Sequence, residues 1–371
     1  ILPRFRAIKR GRGSCITNHY MKYEKDFPLF KTKVAGVDQK FDLSTPEGRK
    51  EYFEAKAGKE VAQLKEFFKT KSFVAYLLAK KSAGKGTYTK LMREVFGADV
   101  IEHISVGDTV RDAHKTAEAD KAAFTESVRP FYRGYISLED AVETLLGRSQ
   151  EKLLPTEFIL ALVKEKIHAL PRKTIFIDGF PRELDQISYA LFLRELIDYR
   201  NDPDLFITID IPESVIDERM KYRVVCPVCQ VPRSTKLLTT RDVGYDEEKK
   251  EYFLLCDEHH ERMIPKEGDA AGIAPIKDRL KKDGELIEKL FTLHGIPKIL
   301  VRNAIPVAVA KEYVDDYELT PEYTYSHEGS NVTTHEAPWS VKDDEGVEVY
   351  SLLAPPAALA LIRQLPGALG L

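Results

Sequence analysis

Apolar residues in this chain follow two patterns. Short unbroken runs read as buried strands: Ser72–Leu78, Val100–Ser105, Thr174–Ile177, Leu205–Ile211 and Lys298–Val301. Between them apolar residues recur every three or four positions, over Tyr88–Phe96, Glu157–Leu170, about Leu184–Tyr199, Glu213–Tyr222 and Ile273–Leu293. That is the period of helices with one buried face, and most of 108–170 follows it. Strands alternating with helices predict an α/β fold, a parallel sheet with helices on both faces.

Three stretches stand outside this rhythm. Ser44-Thr45-Pro46-Glu47 is a helix start, a hydroxyl cap followed by proline and an acid in the first turn. A helix is expected from about 45 to 69, with Tyr52, Phe53, Val61, Leu64, Phe67 and Phe68 on one face despite Gly58. Residues 224–266 carry cysteines and short β-like runs instead of long periods. From about Tyr317 the composition shifts to Glu, Thr, His, Ser and Pro. An apolar segment, Leu352–Leu365, closes this tail and is expected as a helix docked on the core. Residues 21–43 show no period, and no internal repeat is evident.

Composition narrows the class. The chain has 371 residues, enough for one large or two ordinary domains, with 43% hydrophobic and 31% charged residues. A net charge of −3 gives no global field to recruit nucleic acid, and no apolar run reaches the length of a membrane span. Arg4, Arg6, Lys9, Arg10 and Arg12 precede the first acid, Glu24. That segment reads as a targeting arm or, the preferred reading, as a leader with Met21 as the true start. Three of the four cysteines cluster near histidines, which favours a metal over disulfides and a reducing compartment.

The run after the first strand, Ala79-Lys80-Lys81-Ser82-Ala83-Gly84-Lys85-Gly86-Thr87, has the makings of a phosphate loop. Small residues let backbone N–H groups curl around an anion, a lysine reaches the outer phosphates, and a hydroxyl lies near the metal. The helix that follows adds the positive end of its dipole. Ser82, Ala83, Gly84, Lys85, Gly86 and Thr87 are the candidate ATP-binding positions.

The run after the third strand, Asp178-Gly179-Phe180-Pro181-Arg182, places poor packing residues at a strand's C-terminal edge, where open α/β sheets bind ligands. Gln186 follows Arg182 by one helical turn, so the arginine is suited to a phosphate and the amide to a base edge. Asp178 is the candidate carboxylate for a nucleotide-bound magnesium, held through water. Arg111 lies one turn beyond Asp108, after the second strand. Arg219 and Arg223 form an i, i+4 pair that reads as an anion clamp or, alternatively, as a solvated charged face among Asp217, Glu218 and Lys221.

Cys226-Pro-Val-Cys229 and Cys256-Asp-Glu-His259 make a C-x2-C … C-x2-H set. Three thiolates and an imidazole form a closed tetrahedral site for Zn²⁺, which leaves no position open for chemistry and so points to a structural role. His260 is the alternative fourth ligand. Cys15 has no evident partner.

Together these residues resemble the adenylate kinase family of nucleoside monophosphate kinases, over about 72–310. The Asp178–Arg182 signature with Gln186, the Lys85-Gly86-Thr87 loop end and the cysteine set carry the resemblance. It implies a P-loop core at about 71–316 with a five-stranded parallel sheet, a helical monophosphate-binding insertion at about 105–170 and a zinc-bearing lid at about 224–268. Residues 1–70 and 317–371 are then an N-terminal extension and a C-terminal tail.

The resemblance also implies roles. Lys85, Arg182, Arg219, Arg223 and Arg279 would act on the transferred phosphoryl group. Arg219 and Ile305 would lie on the ATP side. Val106, Arg111, Leu154 (within Lys152–Glu157), Gly179, Arg182, Gln186 and Arg279 would lie on the AMP side. The implied activity is Mg-dependent transfer from ATP to AMP giving two ADP, by a cytoplasmic monomer with no nucleic-acid or membrane partner. Other monophosphates (UMP, CMP, GMP), or a nucleotide-binding regulatory protein with weakened turnover, are the alternatives.

The chain departs from the family at identifiable points. The usual loop is G-x-P-G-x-G-K-G-T, and Ala79, Lys81 and Ser82 here replace two glycines and the proline. Val106 replaces a hydroxyl residue. Lys266-Glu267-Gly268-Asp269 stands where the lid usually carries Arg-x-Asp-Asp.

Overall fold

A computed structural model describes residues 27–147, 154–183, 186–199, 201–329 and 331–371. The basic leader, Met21, Cys15, Lys152, Leu153 and the expected helix start at Leu184 lie outside the described residues.

The core is a five-stranded parallel sheet of β1 (Val74–Ala79), β2 (Ile101–Ser105), β3 (Thr174–Asp178), β4 (Asp204–Asp210) and β10 (Lys298–Arg302), ordered β10-β4-β1-β3-β2. β1 is buried throughout because each face of the sheet is covered. Its alternate residues separate cleanly. Ala75, Leu77 and Ala79 face one cluster, with α1 (Pro46–Phe68), α2 (Lys85–Phe96), α8 (Glu213–Lys221) and α11 (Ala354–Leu369). Val74, Tyr76 and Leu78 face the other, with α6 (Thr156–His168), α7 (Gln186–Leu196) and α9 (Lys277–Phe291). This is the period of two expected of a strand.

Helices α3 (Val106–Ala119), α4 (Lys121–Val128), α5 (Leu138–Leu146) and the start of α6 fill the expected helical insertion. They enclose a smaller core of their own around Phe124, Leu145, Phe158 and Leu162. Caps mark their starts: Ser105, Asp120 and Ser137 each accept from a backbone N–H three residues on. The lid region holds a three-stranded sheet of β5 (Arg223–Val225), β6 (Pro232–Ser234) and β9 (Ile264–Pro265). Beside it lies the hairpin β7 (Val243–Asp246)–β8 (Glu251–Leu254).

The two ends of the chain pack on the sheet as part of one core. Thr45 caps α1, accepting from Gly48 N at 3.1 Å, and α1 kinks at Ala57, beside Gly58, where the backbone leaves helical angles. Helix α11 lies against α1, α2 and β10. Between β10 and α11 the chain forms β11 (Ile305–Pro306), α10 (Ala310–Tyr313), the hairpin β12 (Pro321–Glu328)–β13 (Asn331–Pro338), β14 (Val341–Lys342) and β15 (Glu348–Tyr350). β15 pairs with β11 on one side and β14 on the other.

A buried ion pair ties the ends together. Lys56 on α1 donates to Asp315 at 2.6 Å and to Glu318 at 2.7 Å, and the side chains of Lys56 and Glu318 are both fully enclosed. Tyr52 donates to Glu318 at 2.7 Å, and Thr32 also donates to it. Burial works against the Lys56 charge, but its hydrogen bonds to Asp315 and Glu318 hold its pKa above the usual value. Removing one partner strands the other charge. Glu318→Ala is therefore expected to lower stability by about 3–5 kcal/mol in urea unfolding; an unchanged midpoint would contradict this reading.

Candidate active site and metal centre

The C-terminal ends of β1, β2 and β3 meet at one crevice. Register brings Asp178 opposite Leu77 of β1 on one side and Ser105 of β2 on the other. The phosphate loop leaves β1 and turns through Ser82 (φ 66°) and Gly84 (φ 92°) into α2. Ser82 adopts the left-handed backbone that a glycine would take without strain. The loop wraps the Lys85 ammonium, which donates to Ala79 O at 3.1 Å and lies 3.6 Å from Asp178 Oδ1. Gly86 and Thr87 continue into the first turn of α2, with Thr87 N donating to Gly84 O at 2.9 Å.

Across the crevice two arginines converge. A Cβ placed on Gly107 would lie 3.2 Å from Arg182 Nη2 and 3.5 Å from Arg111 Nη1, so both guanidinium groups reach the start of α3. Gly179 has φ 83°, and a Cβ there would come within 2.9 Å of Arg182 Nη2. Only glycine admits both the backbone and the arginine. Burial, then the neighbouring Arg279, lowers the Arg182 pKa, while Asp178 and Asp283 work the other way. Arg111 pairs with Asp108 and remains exposed. Leu154 lies partly buried against the core of the helical insertion.

Gln186 is less free than its spacing suggested. Its Oε1 accepts from Arg182 N at 2.8 Å, and its Nε2 donates to Thr156 Oγ1 at 3.2 Å. The amide fixes the turn that aims Arg182.

Three expected site residues face inward. Val106 is 2% exposed and packs with Ile104 and Leu160, because the first residue of α3 turns its side chain back over the sheet. Ile305 is 2% exposed because β15 pairs along β11. Arg219 lies under the tail and donates to Ser351 Oγ at 3.1 Å. Arg223, its i+4 partner, pairs with Asp269, and its Nη1 lies 3.5 Å from Ser82 Oγ. The lid acid at 269 is thus used to hold an arginine over the loop.

Spacing alone did not single out two further groups. His103 on β2 sits 4.0 Å from Asp178 Oδ2, its Nε2 has no hydrogen-bond partner among the described residues, and burial lowers its pKa against the pull of Asp178. Asp283 on α9, one turn beyond Arg279, accepts from Lys81 N at 2.9 Å. Burial raises its pKa although Arg279, Lys85 and Arg182 oppose this. The i, i+4 relation to Arg279 was its only local signal.

The cysteine set comes together as its spacing required. Ligand atoms of Cys226, Cys229, Cys256 and His259 all lie within 4.8 Å of one another. Cys229 Sγ is 3.8 Å from Cys256 Sγ, and Cys256 Sγ is 3.8 Å from His259 Nδ1. A tetrahedron with zinc–sulfur bonds of about 2.3 Å has sulfur–sulfur edges of about 3.8 Å, so the donors fit that ion. Both halves are the same turn. Gln230 N donates to Cys226 O and His260 N to Cys256 O, and Gln230 and His260 each have positive φ. His260 therefore serves the turn, and His259 faces the thiols. Burial opposes the Cys256 thiolate, yet the amides of Glu258 and His259 and the His259 ring bring its pKa down to about 6.

The tail hairpin braces this lid. Tyr323 N donates to Lys236 O at 2.7 Å, and Tyr325 OH to Thr235 O at 2.8 Å. His327 stacks on Tyr245 at 3.7 Å and bonds the Tyr252 hydroxyl at 2.9 Å.

A parallel sheet ordered β10-β4-β1-β3-β2, a phosphate loop on its central strand and facing arginines define a P-loop kinase architecture. No family model matches the chain. The adenylate kinase of Kosmotoga olearia is 30% identical over 207 residues, covering 55% of this chain and 79% of that protein. That of Thermotoga petrophila is 29% identical over 200 residues, covering 53% and 75%. The adenylate kinase of Thermotoga neapolitana is 27% identical over 233 residues, covering 62% and 89%. The chain belongs to the adenylate kinase family. Among the described residues no helix is long and apolar enough to cross a membrane.

If the cluster holds zinc, the purified protein is expected to carry about one ion per chain and to melt at a lower temperature after chelation or in Cys229→Ser. Elemental analysis and thermal unfolding check this; a metal-free protein of unchanged stability would refute the site.

Proposed function

We propose that this chain catalyses reversible transfer of a phosphoryl group from Mg·ATP to AMP, giving two ADP. The observation that carries the reading is the pairing across one crevice of the Lys85 loop, over Asp178, with Arg182 and Arg111 at Gly107. Phosphoryl transfer asks for positioning and charge neutralisation more than covalent work by the protein. Loop amides and Lys85 hold the donor phosphates, while Arg111 and Arg182 place the acceptor phosphate in line. Arg223 and Arg279 neutralise the equatorial oxygens. Asp178 is placed to orient waters on the magnesium that enters with ATP.

Closure of the lid over the crevice would exclude water and suppress hydrolysis. The zinc cluster, as in a structural site, would stiffen the lid without touching the reaction. Val106, Arg219 and Ile305 serve in this reading as packing and anchoring residues. A monomer in a reducing cytoplasm suits the free cysteines.

One observation favours a second reading, a different acceptor base: the Gln186 amide is already engaged by Arg182 and Thr156. Comparing AMP, UMP, CMP and GMP with ATP as donor separates the two.

Lys85→Met is expected to cut ADP formation at least about 100-fold, the scale of losing one preorganised donor to a transition-state oxygen, with the melting temperature retained. A coupled assay with ATP, AMP and Mg²⁺ reads this. Turnover near that of the unaltered protein would sink the assignment.

A further inference from the structure

We infer that Lys81, anchored by Asp283, is an additional cation of the donor-phosphate site. The inference rests on the reading of the loop as the donor site and adds a residue to it.

Two adjacent lysines open the loop, and their surroundings differ. Lys80 is committed: its ammonium pairs with Glu213 at 3.0 Å and Asp344 at 3.1 Å. Lys81 is not. Its half-buried ammonium has neither an ion pair nor a hydrogen bond among the described residues. Burial, then the Arg279 guanidinium, lowers its pKa, and Arg223 and Lys266 push the same way. Asp269, which acts in the other direction, is already bound to Arg223. Arg279 likewise has no paired acid among the described residues. Lys81 and Arg223 are half-buried beside the exposed cations Arg279 and Lys266, and neighbouring cations repel and, where buried, lose hydration. A polyphosphate answers both costs.

The backbone explains why the ammonium is held there. A proline at this position would offer no N–H. Lys81 has one, and Asp283 Oδ2 accepts it at 2.9 Å. Asp283 sits one turn after Arg279 on α9. The bond therefore stitches the loop to the helix that carries Arg279 and keeps both cations on one side of the crevice. Asp283 acts through Lys81 and is a positioning residue.

Only nucleotides with a β-phosphate should sense Lys81. Calorimetric titration of the full chain with no magnesium and no chelator added, with ATP, tripolyphosphate and AMP separately, isolates binding from turnover. Lys81→Ala is expected to weaken ATP and tripolyphosphate by about tenfold or more, the worth of a charge-assisted hydrogen bond, and to leave AMP binding and the melting temperature unchanged. Lys81→Arg should restore most of the loss. Asp283→Ala should weaken ATP in the parent but add little to Lys81→Ala, because the two act in series. Equal ATP affinity in Lys81→Ala and the parent would overturn the inference, as would equal losses for ATP and AMP or fully additive effects of the two substitutions. A parent protein that binds neither ATP nor tripolyphosphate would overturn both this and the kinase reading. One that binds ATP but forms no ADP from AMP would sink the kinase reading alone, and the Lys81 comparison would still decide.

Discussion

Like charges packed side by side repel, and the architecture around the phosphate loop is arranged to hold them. In the proposed site Lys81, Lys85, Arg182, Arg223 and Arg279 come from four parts of the chain: the phosphate loop, the turn after β3, the base of the lid and α9. Lys85 is enclosed by its own loop and faces Asp178. Arg182 is aimed by a turn that Gln186 fixes and given room by two glycines. Arg223 is tethered to Asp269 and Lys81 to Asp283. The acids are fewer than the cations, and the excess suits an anionic ligand. The parallel sheet makes this possible because its strands all end on the same side.

The tail alters how this chain uses the fold. It is not a separate appendage: α11 lies in the same core as α1 and β10, and the Lys56–Glu318 pair joins both ends of the chain. Its strands cover Ile305 and Arg219, and its hairpin lies against the lid through Tyr323, Tyr325 and His327. The lid is thereby bonded to the tail as well as to its own base. Movement of the lid must break or carry those contacts.

The residues proposed for the site are legible in the sequence where their signals are local. The Asp178–Arg182 run, the glycines of the loop and the two C-x2-(C/H) turns act through near neighbours, so spacing alone places them. The burial of Val106 was not legible, for the opposite reason. One helical position decides whether a side chain faces crevice or core, and that choice depends on how α3 packs over the sheet. Gln186 shows the same limit. Its spacing put it beside Arg182, but only the fold brought Thr156 within reach of its amide.

The order of strands and helices, the loop, the signature and the cysteine–histidine set were written in short-range periodicity and turn chemistry. Tertiary structure decided what these were joined to. The bond from Lys81 to Asp283 spans 202 positions, and that from Arg219 to Ser351 spans 132. No local pattern encodes such partners, because they meet only after the sheet has formed and both ends of the chain have packed against it.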